Sequence, residues 1–238
     1  ARYADIVERI IYNAGLSPIS IDGTRFCYTN PLRWHGEEHD RLSHDTPERW
    51  ETHDCYCCPP QVARTIAKLS TWAYSLAPGE LWVHLYGGNH LETEIHGEAL
   101  SLSQTTDYPW DGRIVFTIHQ APQAEFTLRL RIPGWAETVT ISVNGTEVEQ
   151  HSRPGSYLAL SRRWAQGDTL VLDLPMPIRL VQAHPKVESD RNQVAVMRGP
   201  IVYCLESIDL SDGITIDEVA LPRDASFIPW YDSNLLGG

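Results

Sequence analysis

LWVHLYGGNHLETEIHGEALSLSQ, residues 81–104, decides the fold of this chain. In LETEIH and ALSLSQ apolar residues recur at every second position, the period of a strand with one buried face, and Gly87-Gly88-Asn89 interrupts the run with turn chemistry. The same texture continues in RIVFTIHQ (113–120), EFTLRLRI (125–132), TVTISV (138–143), YLAL (157–160) and TLVLDL (169–174). Asp111-Gly112, Asn144-Gly145 and Gly167-Asp168 punctuate these runs. Short strands at regular spacing predict a mainly antiparallel β-sandwich over residues 77–182. A further β segment, VAVMRGPIVYCLE (194–206), opens a second β domain over 183–238.

Upstream of the strands the period changes. In RYADIVERIIYNAG (2–15), Tyr3, Ile6, Val7, Ile10 and Ile11 fall at helical spacing, predicting a one-faced helix that Gly15 ends in a left-handed conformation. ISIDGTRFCY (19–28) alternates about Asp22-Gly23 as a short hairpin. Residues 31–54 are polar and aperiodic, the pattern of a long surface loop, and loops of that length in compact domains are often functional. A second helix is predicted over QVARTIAKLSTWAYSL (61–76), with Val62, Ile66, Leu69 and Trp72 on one stripe and APGE ending it. Residues 1–76 thus carry two helices, with a hairpin and a long loop between them, ahead of the β structure.

Composition removes several classes of partner. Nineteen basic residues against thirty-one acidic ones give a net charge of −12, and with no Lys/Arg cluster nucleic acid and anionic membrane are excluded as partners. No apolar run approaches the roughly 18 residues needed to span a bilayer. Eight Trp and ten Tyr beside four Phe suit flat apolar rings with a polar edge, as used on sugars and at interfaces. The five cysteines cannot all pair within the chain, which favours a reducing, cytoplasmic compartment over a disulfide scaffold. A second copy of the chain, forming a homodimer, is retained as a partner.

Three of those cysteines crowd into THDCYCCPP (52–60). Pro59 and Pro60 fit a helix start, where a missing N–H costs little, so Cys55, Cys57 and Cys58 lie at a helix N-terminus. Buried or incidental thiols, a vicinal disulfide between Cys57 and Cys58, and metal ligation are the alternatives. Metal ligation leads, because burial requires no such spacing and adjacent cysteines close a strained ring. Thiolates favour Zn²⁺, which takes four ligands, so the cluster needs distant partners or an open catalytic position. Helix N-terminal N–H groups and a dication also favour the nucleophilic thiolate.

Taken together, YADIVERIIYNAGLSPISIDGTRFCYTNPL (3–32), CYCCPPQVARTIAKL (55–69), LRIPGWA (130–136) and VAVMRGPIVYCLE followed by LLGG (235–238) resemble glycoside hydrolase family 127, whose characterised activity is β-L-arabinofuranosidase. The resemblance implies that residues 1–76 are the C-terminal part of an (α/α)6 catalytic barrel whose other helices lie upstream, and that β structure continues past Gly238. By the same resemblance Cys57 is the nucleophile and a zinc ligand, Cys58 a second ligand, and Cys55 a bystander. The family's remaining ligands, a Glu-x-Cys pair, and its acid/base glutamate match no position here; Cys27, Glu51 and Asp54 are the nearest substitutes to consider, and none is assigned.

The implied reaction is retaining hydrolysis of an arabinofuranoside, with the Cys57 thiolate in the place usually held by a carboxylate. Tyr28 and Asn30 are the candidates for sugar contact, with a hairpin-core role the alternative for Tyr28. His35, His39, His44 and His53 belong to the polar loop and are solvated by default, with sugar contact the alternative, and the flanking Trp34 and Trp50 are candidates to stack on a sugar face. Alone, the 238 residues are expected to be inactive. The competing expectations are a noncatalytic carbohydrate-binding or structural β-sandwich module and a zinc-stabilised interaction domain.

Overall fold

The structure, a computed structural model, describes residues 1–28, 49–51, 57–149 and 152–232. It forms two compact units, Ala1–Met176 and Pro177–Gly238. Among the described residues no helix is long and apolar enough to cross a membrane.

The first unit begins with α1 (Arg2–Ile10), which runs into one π-helical turn, Ile11–Gly15. Gly15 does not take the left-handed conformation expected of it. A side chain is excluded there for another reason: a Cβ would stand 2.8 Å from the carbonyl oxygen of Ile10. Residues 19–28 pair as isolated bridges, Ile19 with Phe26 and Phe26 with Trp50, instead of as regular strands. Hydrogen bonds from the Ser20 and Thr24 hydroxyls and the Thr24 N–H hold the turn on Asp22 and draw its carboxyl down to about 2.

After α2 (Cys58–Ala73) come ten strands: β1 (Tyr74–Ala77), β2 (Glu80–Val83), β3 (Asn89–Ile95), β4 (Glu98–Thr105), β5 (Arg113–Gln120), β6 (Phe126–Ile132), β7 (Thr140–Val143), β8 (Thr146–Glu147), β9 (Ser156–Arg162) and β10 (Thr169–Asp173). The helix stops three residues short of the predicted Leu76, because Tyr74–Ala77 pairs antiparallel with β2 across Pro78-Gly79. The Tyr74 hydroxyl is also held, donating to Asn89 Oδ1 at 2.5 Å. Pairing and that bond outweigh a helical period that continues through the same residues.

Two sheets result, one in the order β1-β2-β6-β9 and one in the order β3-β4-β5-β10-β7-β8. Their pairings are antiparallel except for β2 with β6, which is parallel. The long excursion of the chain through β3, β4 and β5 supplies the crossover that a parallel pair requires. Inward residues of both sheets, including Val83, Leu130 and Leu158 from the smaller and Leu102, Phe116 and Leu172 from the larger, meet in one buried cluster. Each such side chain contributes about 1.5–3 kcal/mol by leaving water. The sandwich read from residues 81–104 is this pair of sheets.

α1 departs from its predicted orientation. Its apolar side chains Tyr3, Ile6 and Ile10 are exposed, Tyr3 at 82%, while Glu8 is buried at 2%. The helix turns a carboxylate stripe toward the sandwich because a buried cation awaits it there, as described below. The second unit contains an antiparallel three-stranded sheet, β11 (Ile178–Val181), β12 (Ala195–Arg198) and β13 (Ile201–Tyr203), in that order. Its last two strands are the VAVMRGPIVYCLE segment; β11 carried no sequence signal strong enough to mark it.

Candidate active site

Cys57 is the N-cap of α2 and Cys58 its first residue. Both prolines that follow fall in the first turn, and the Cys57 carbonyl accepts the first helical hydrogen bond from the Gln61 N–H at 3.1 Å. This local geometry turns two adjacent thiols toward one another: their Sγ atoms are 3.7 Å apart. A disulfide would need about 2.05 Å, so the vicinal bridge is not formed and both residues are thiols. Cys57 is exposed and Cys58 half-buried.

That separation fits zinc. Two sulfurs on a tetrahedral zinc, each at about 2.3 Å, stand about 3.8 Å apart. Among the described residues no three His, Cys, Asp or Glu side chains converge to hold a metal ion. Glu51 is engaged elsewhere, in an ion pair with Arg25 at 2.9 Å. Cys27 lies in the bridged segment, its N–H bonded to the Pro18 carbonyl. Asp54 and Cys55 fall outside the described residues.

Tyr28 is partly exposed and stacks on Trp50, with ring centroids 6.4 Å apart and planes 22° from parallel; Phe26 meets the same indole edge-on at 6.3 Å. Bridge pairing of Phe26 with Trp50 assembles this aromatic group from segments far apart in sequence. Asn30, Trp34 and the four histidines at 35, 39, 44 and 53 lie outside the described residues.

A second polar centre was invisible from spacing. Arg131, fully buried on β6, donates from Nη1 to Asp5 Oδ1 at 2.5 Å, from both terminal nitrogens to the Glu8 carboxylate, and from Nε to the His84 carbonyl at 2.5 Å. Tyr108 donates to Glu8 at 2.6 Å, Trp135 Nε1 approaches the other Glu8 oxygen at 3.4 Å, and the Gly134 N–H donates to Asp5 at 3.2 Å. The Tyr86 hydroxyl donates to the Arg131 carbonyl, and its ring lies 5.5 Å beneath the guanidinium.

The two-pronged Arg–Glu contact is the strong form of a charge-assisted hydrogen bond. Burial works against the charged guanidinium, yet Glu8 and the surrounding tyrosines raise its pKa above the usual arginine value. Burial raises Tyr12 to about 12 and moves Tyr86 and Tyr108 the same way. The centre fastens α1 to the sandwich within the first unit. Its sequence trace was an Arg on the outward-facing register of β6 and two acids three residues apart on α1.

Comparison with known proteins matches this architecture from end to end. The profile described as "Beta-L-arabinofuranosidase, GH127 catalytic domain" matches residues 1–71, the "GH127 middle domain" matches 80–176, and the "Glycoside hydrolase family 127 C-terminal domain" matches 178–234. A chain carrying a helical segment with paired thiols, a sandwich and a further β unit in that order belongs to glycoside hydrolase family 127.

Among its relatives is a non-reducing end β-L-arabinofuranosidase of Bifidobacterium longum subsp. longum, 33% identical across 99% of this chain and 37% of its own length. A crystal structure of a GH127 β-L-arabinofuranosidase from Geobacillus stearothermophilus T6 is 39% identical, with a TM-score of 0.92 over 99% of this chain and 37% of that one. Another solved structure, titled a glycoside hydrolase, is 42% identical, with a TM-score of 0.85 over 91% of this chain and 36% of its own. The chain thus spans about 37% of the length of the curated relative it matches.

Proposed function

We propose that this chain is part of a retaining glycosidase that releases L-arabinose from β-L-arabinofuranosides, with Cys57 as nucleophile. The observation that carries this is the 3.7 Å separation of Cys57 and Cys58 at the head of α2, inside the span matched by the family's catalytic-domain profile. The name of the Bifidobacterium relative supplies the substrate class.

Cys57 and Cys58 would hold a zinc ion, which when bound keeps a coordinated sulfur in its thiolate form and tempers its basicity. The Cys57 sulfur attacks the anomeric carbon, and the S–C bond forms as the glycosidic C–O bond breaks. The departing oxygen takes a proton from a general acid, which the resemblance assigns to a glutamate outside these 238 residues. Water, giving its proton to the resulting carboxylate, then displaces the sulfur and frees arabinose with two inversions, hence net retention. Tyr28, paired with Trp50, and Asn30 would contact the furanose.

α1 and α2 would belong to a helical (α/α)6 barrel. Support comes from the apolar side chains they leave exposed, Tyr3, Ile6 and Ile10 on one and Ile66 and Trp72 on the other, which suit packing against further helices. The test is made in a parent protein of full family length. Release of L-arabinose from a β-linked arabinofuranoside should vanish in Cys57→Ser, and near-normal turnover in that variant removes Cys57 from the mechanism.

A further inference from the structure

The outward face of the larger sheet carries two histidines that approach one another across β4. His90 stands on β3 and His119 on β5; their ring centroids are 5.3 Å apart and their planes are tilted by 41°. Each ring is aimed by a serine of the intervening strand. Ser101 Oγ is 3.2 Å from His90 Nε2, and Ser103 Oγ is 2.8 Å from His119 Nε2. Alternate residues of a strand share a face, so both Nε2 atoms come in over β4 from opposite sides.

Regular pairing would not have produced this. The β4–β5 register slips between Ser101, which faces Gln120, and Leu102, which faces Ile118, and His119 is the extra residue of the resulting bulge. Bulges re-aim side chains and are over-represented beside functional sites. On the rim, Glu92 Oε1 reaches within 3.5 Å of His90 Nε2.

Two imidazoles bound to one tetrahedral metal, each nitrogen at about 2.0–2.1 Å, place their ring centres about 5 Å apart. The observed 5.3 Å matches that spacing. Imidazole nitrogen selects borderline divalent ions and not the hard, oxygen-seeking ones. We propose that His90 and His119 form a binding site for a borderline divalent transition metal, Zn²⁺ or Cu²⁺, with water completing the shell. Each Nε2 exchanges its serine hydroxyl, Ser101 or Ser103, for the ion, and the Glu92 carboxylate beside His90 Nε2 offsets part of the ion's charge. With two protein ligands the site is exchangeable, and when filled it ties β3 to β5 over β4. It is built from different residues than the thiol pair and does not depend on the proposed arabinofuranosidase activity.

The test uses the 238-residue chain with all five cysteines, Cys27, Cys55, Cys57, Cys58 and Cys204, replaced by serine, which removes the competing thiols. Zn²⁺ and Cu²⁺ are titrated calorimetrically into this protein and into the same background with His90→Ala or His119→Ala, while the imidazole resonances of the two histidines are followed by NMR. One ion per chain is expected, Cu²⁺ binding more tightly than Zn²⁺. Either alanine should weaken binding by at least about tenfold, the least that loss of a supporting outer partner costs. Both imidazoles should shift together on addition of Zn²⁺. Affinity unchanged by either alanine, no saturable binding in the parent, or resonances of His90 and His119 unmoved by saturating Zn²⁺ would each overturn the proposal. Circular dichroism of the metal-free variants checks that the sheet is retained.

Discussion

Arg131→Met tests how α1 is held to the sandwich. The methionine matches the length of the aliphatic stem but strips the guanidinium from a fully buried position, removing contacts to Asp5, to both oxygens of Glu8 and to the His84 carbonyl. Glu8 would keep Tyr108 and Trp135 as donors but lose its counter-charge at 2% exposure. Removing one partner of a buried ion pair costs about 3–5 kcal/mol, because the other charge is left uncompensated.

With a urea slope of about 2–3 kcal/mol per molar, the unfolding midpoint falls by about 1–2.5 M. Trp135, which touches Glu8, reports the transition by fluorescence. Glu8→Gln removes the opposite charge, and the double variant should recover part of the loss, with a coupling of at least about 1.5 kcal/mol. An Arg131→Met protein within about 0.5 kcal/mol of the parent would refute the assignment of this centre as the fastening of α1.

High pH attacks the same centre. Burial raises Tyr12 to about 12 and shifts Tyr86 and Tyr108 upward too, so the unfolded chain gives up these protons first. Stability is therefore intact below pH about 10 and declines as pH climbs toward 12, by about 1.4 kcal/mol per unit for each tyrosine; denaturant midpoints across that window, with tyrosinate absorbance, check it. Gly112→Ala would place a Cβ 1.9 Å from the Leu174 carbonyl oxygen, parting backbone that the Leu174 N–H to Gly112 bond holds together. A loss of about 1–3 kcal/mol is expected, read as a lowered thermal midpoint. In a His90→Ala background the 238-residue chain should bind Zn²⁺ reversibly through Cys57 and Cys58, measured by calorimetric titration, more weakly in Cys58→Ser, and the chain should release no L-arabinose; hydrolysis by the isolated chain would show that no residue outside it is needed.

Alternation exposes β2 through β6 and β10 in the sequence because one face of each strand is core and the other solvent. Tyr74–Ala77 escapes the same test: its residues continue a helical period, and only the register with β2 decides against it. Arg131 marks where alternation fails outright. Its outward position on β6 spells solvent, but α1 covers it, and no local pattern announces that a helix from the far end of the unit will do so. The same cause inverts α1, whose apolar stripe reads as the buried face while Glu8 takes that place.

At the site, the spacing of Cys57 and Cys58 before two prolines is legible because helix-start chemistry is local. The stacking of Tyr28 on Trp50 is not, since it arises from a single bridge between distant segments.

The parallel partnership of β2 and β6 has a kinetic corollary. The smaller sheet cannot be completed until the chain has gone out through three strands of the larger one and come back, and β10 then re-enters the larger sheet between β5 and β7. Interleaving of this kind makes the two layers one cooperative folding event governed by non-local closure, the regime of millisecond-to-second assembly. Neither layer can be excised as an uninterrupted fragment, so a proteolytic nick between strands should leave both halves associated and co-purifying until denaturant is added.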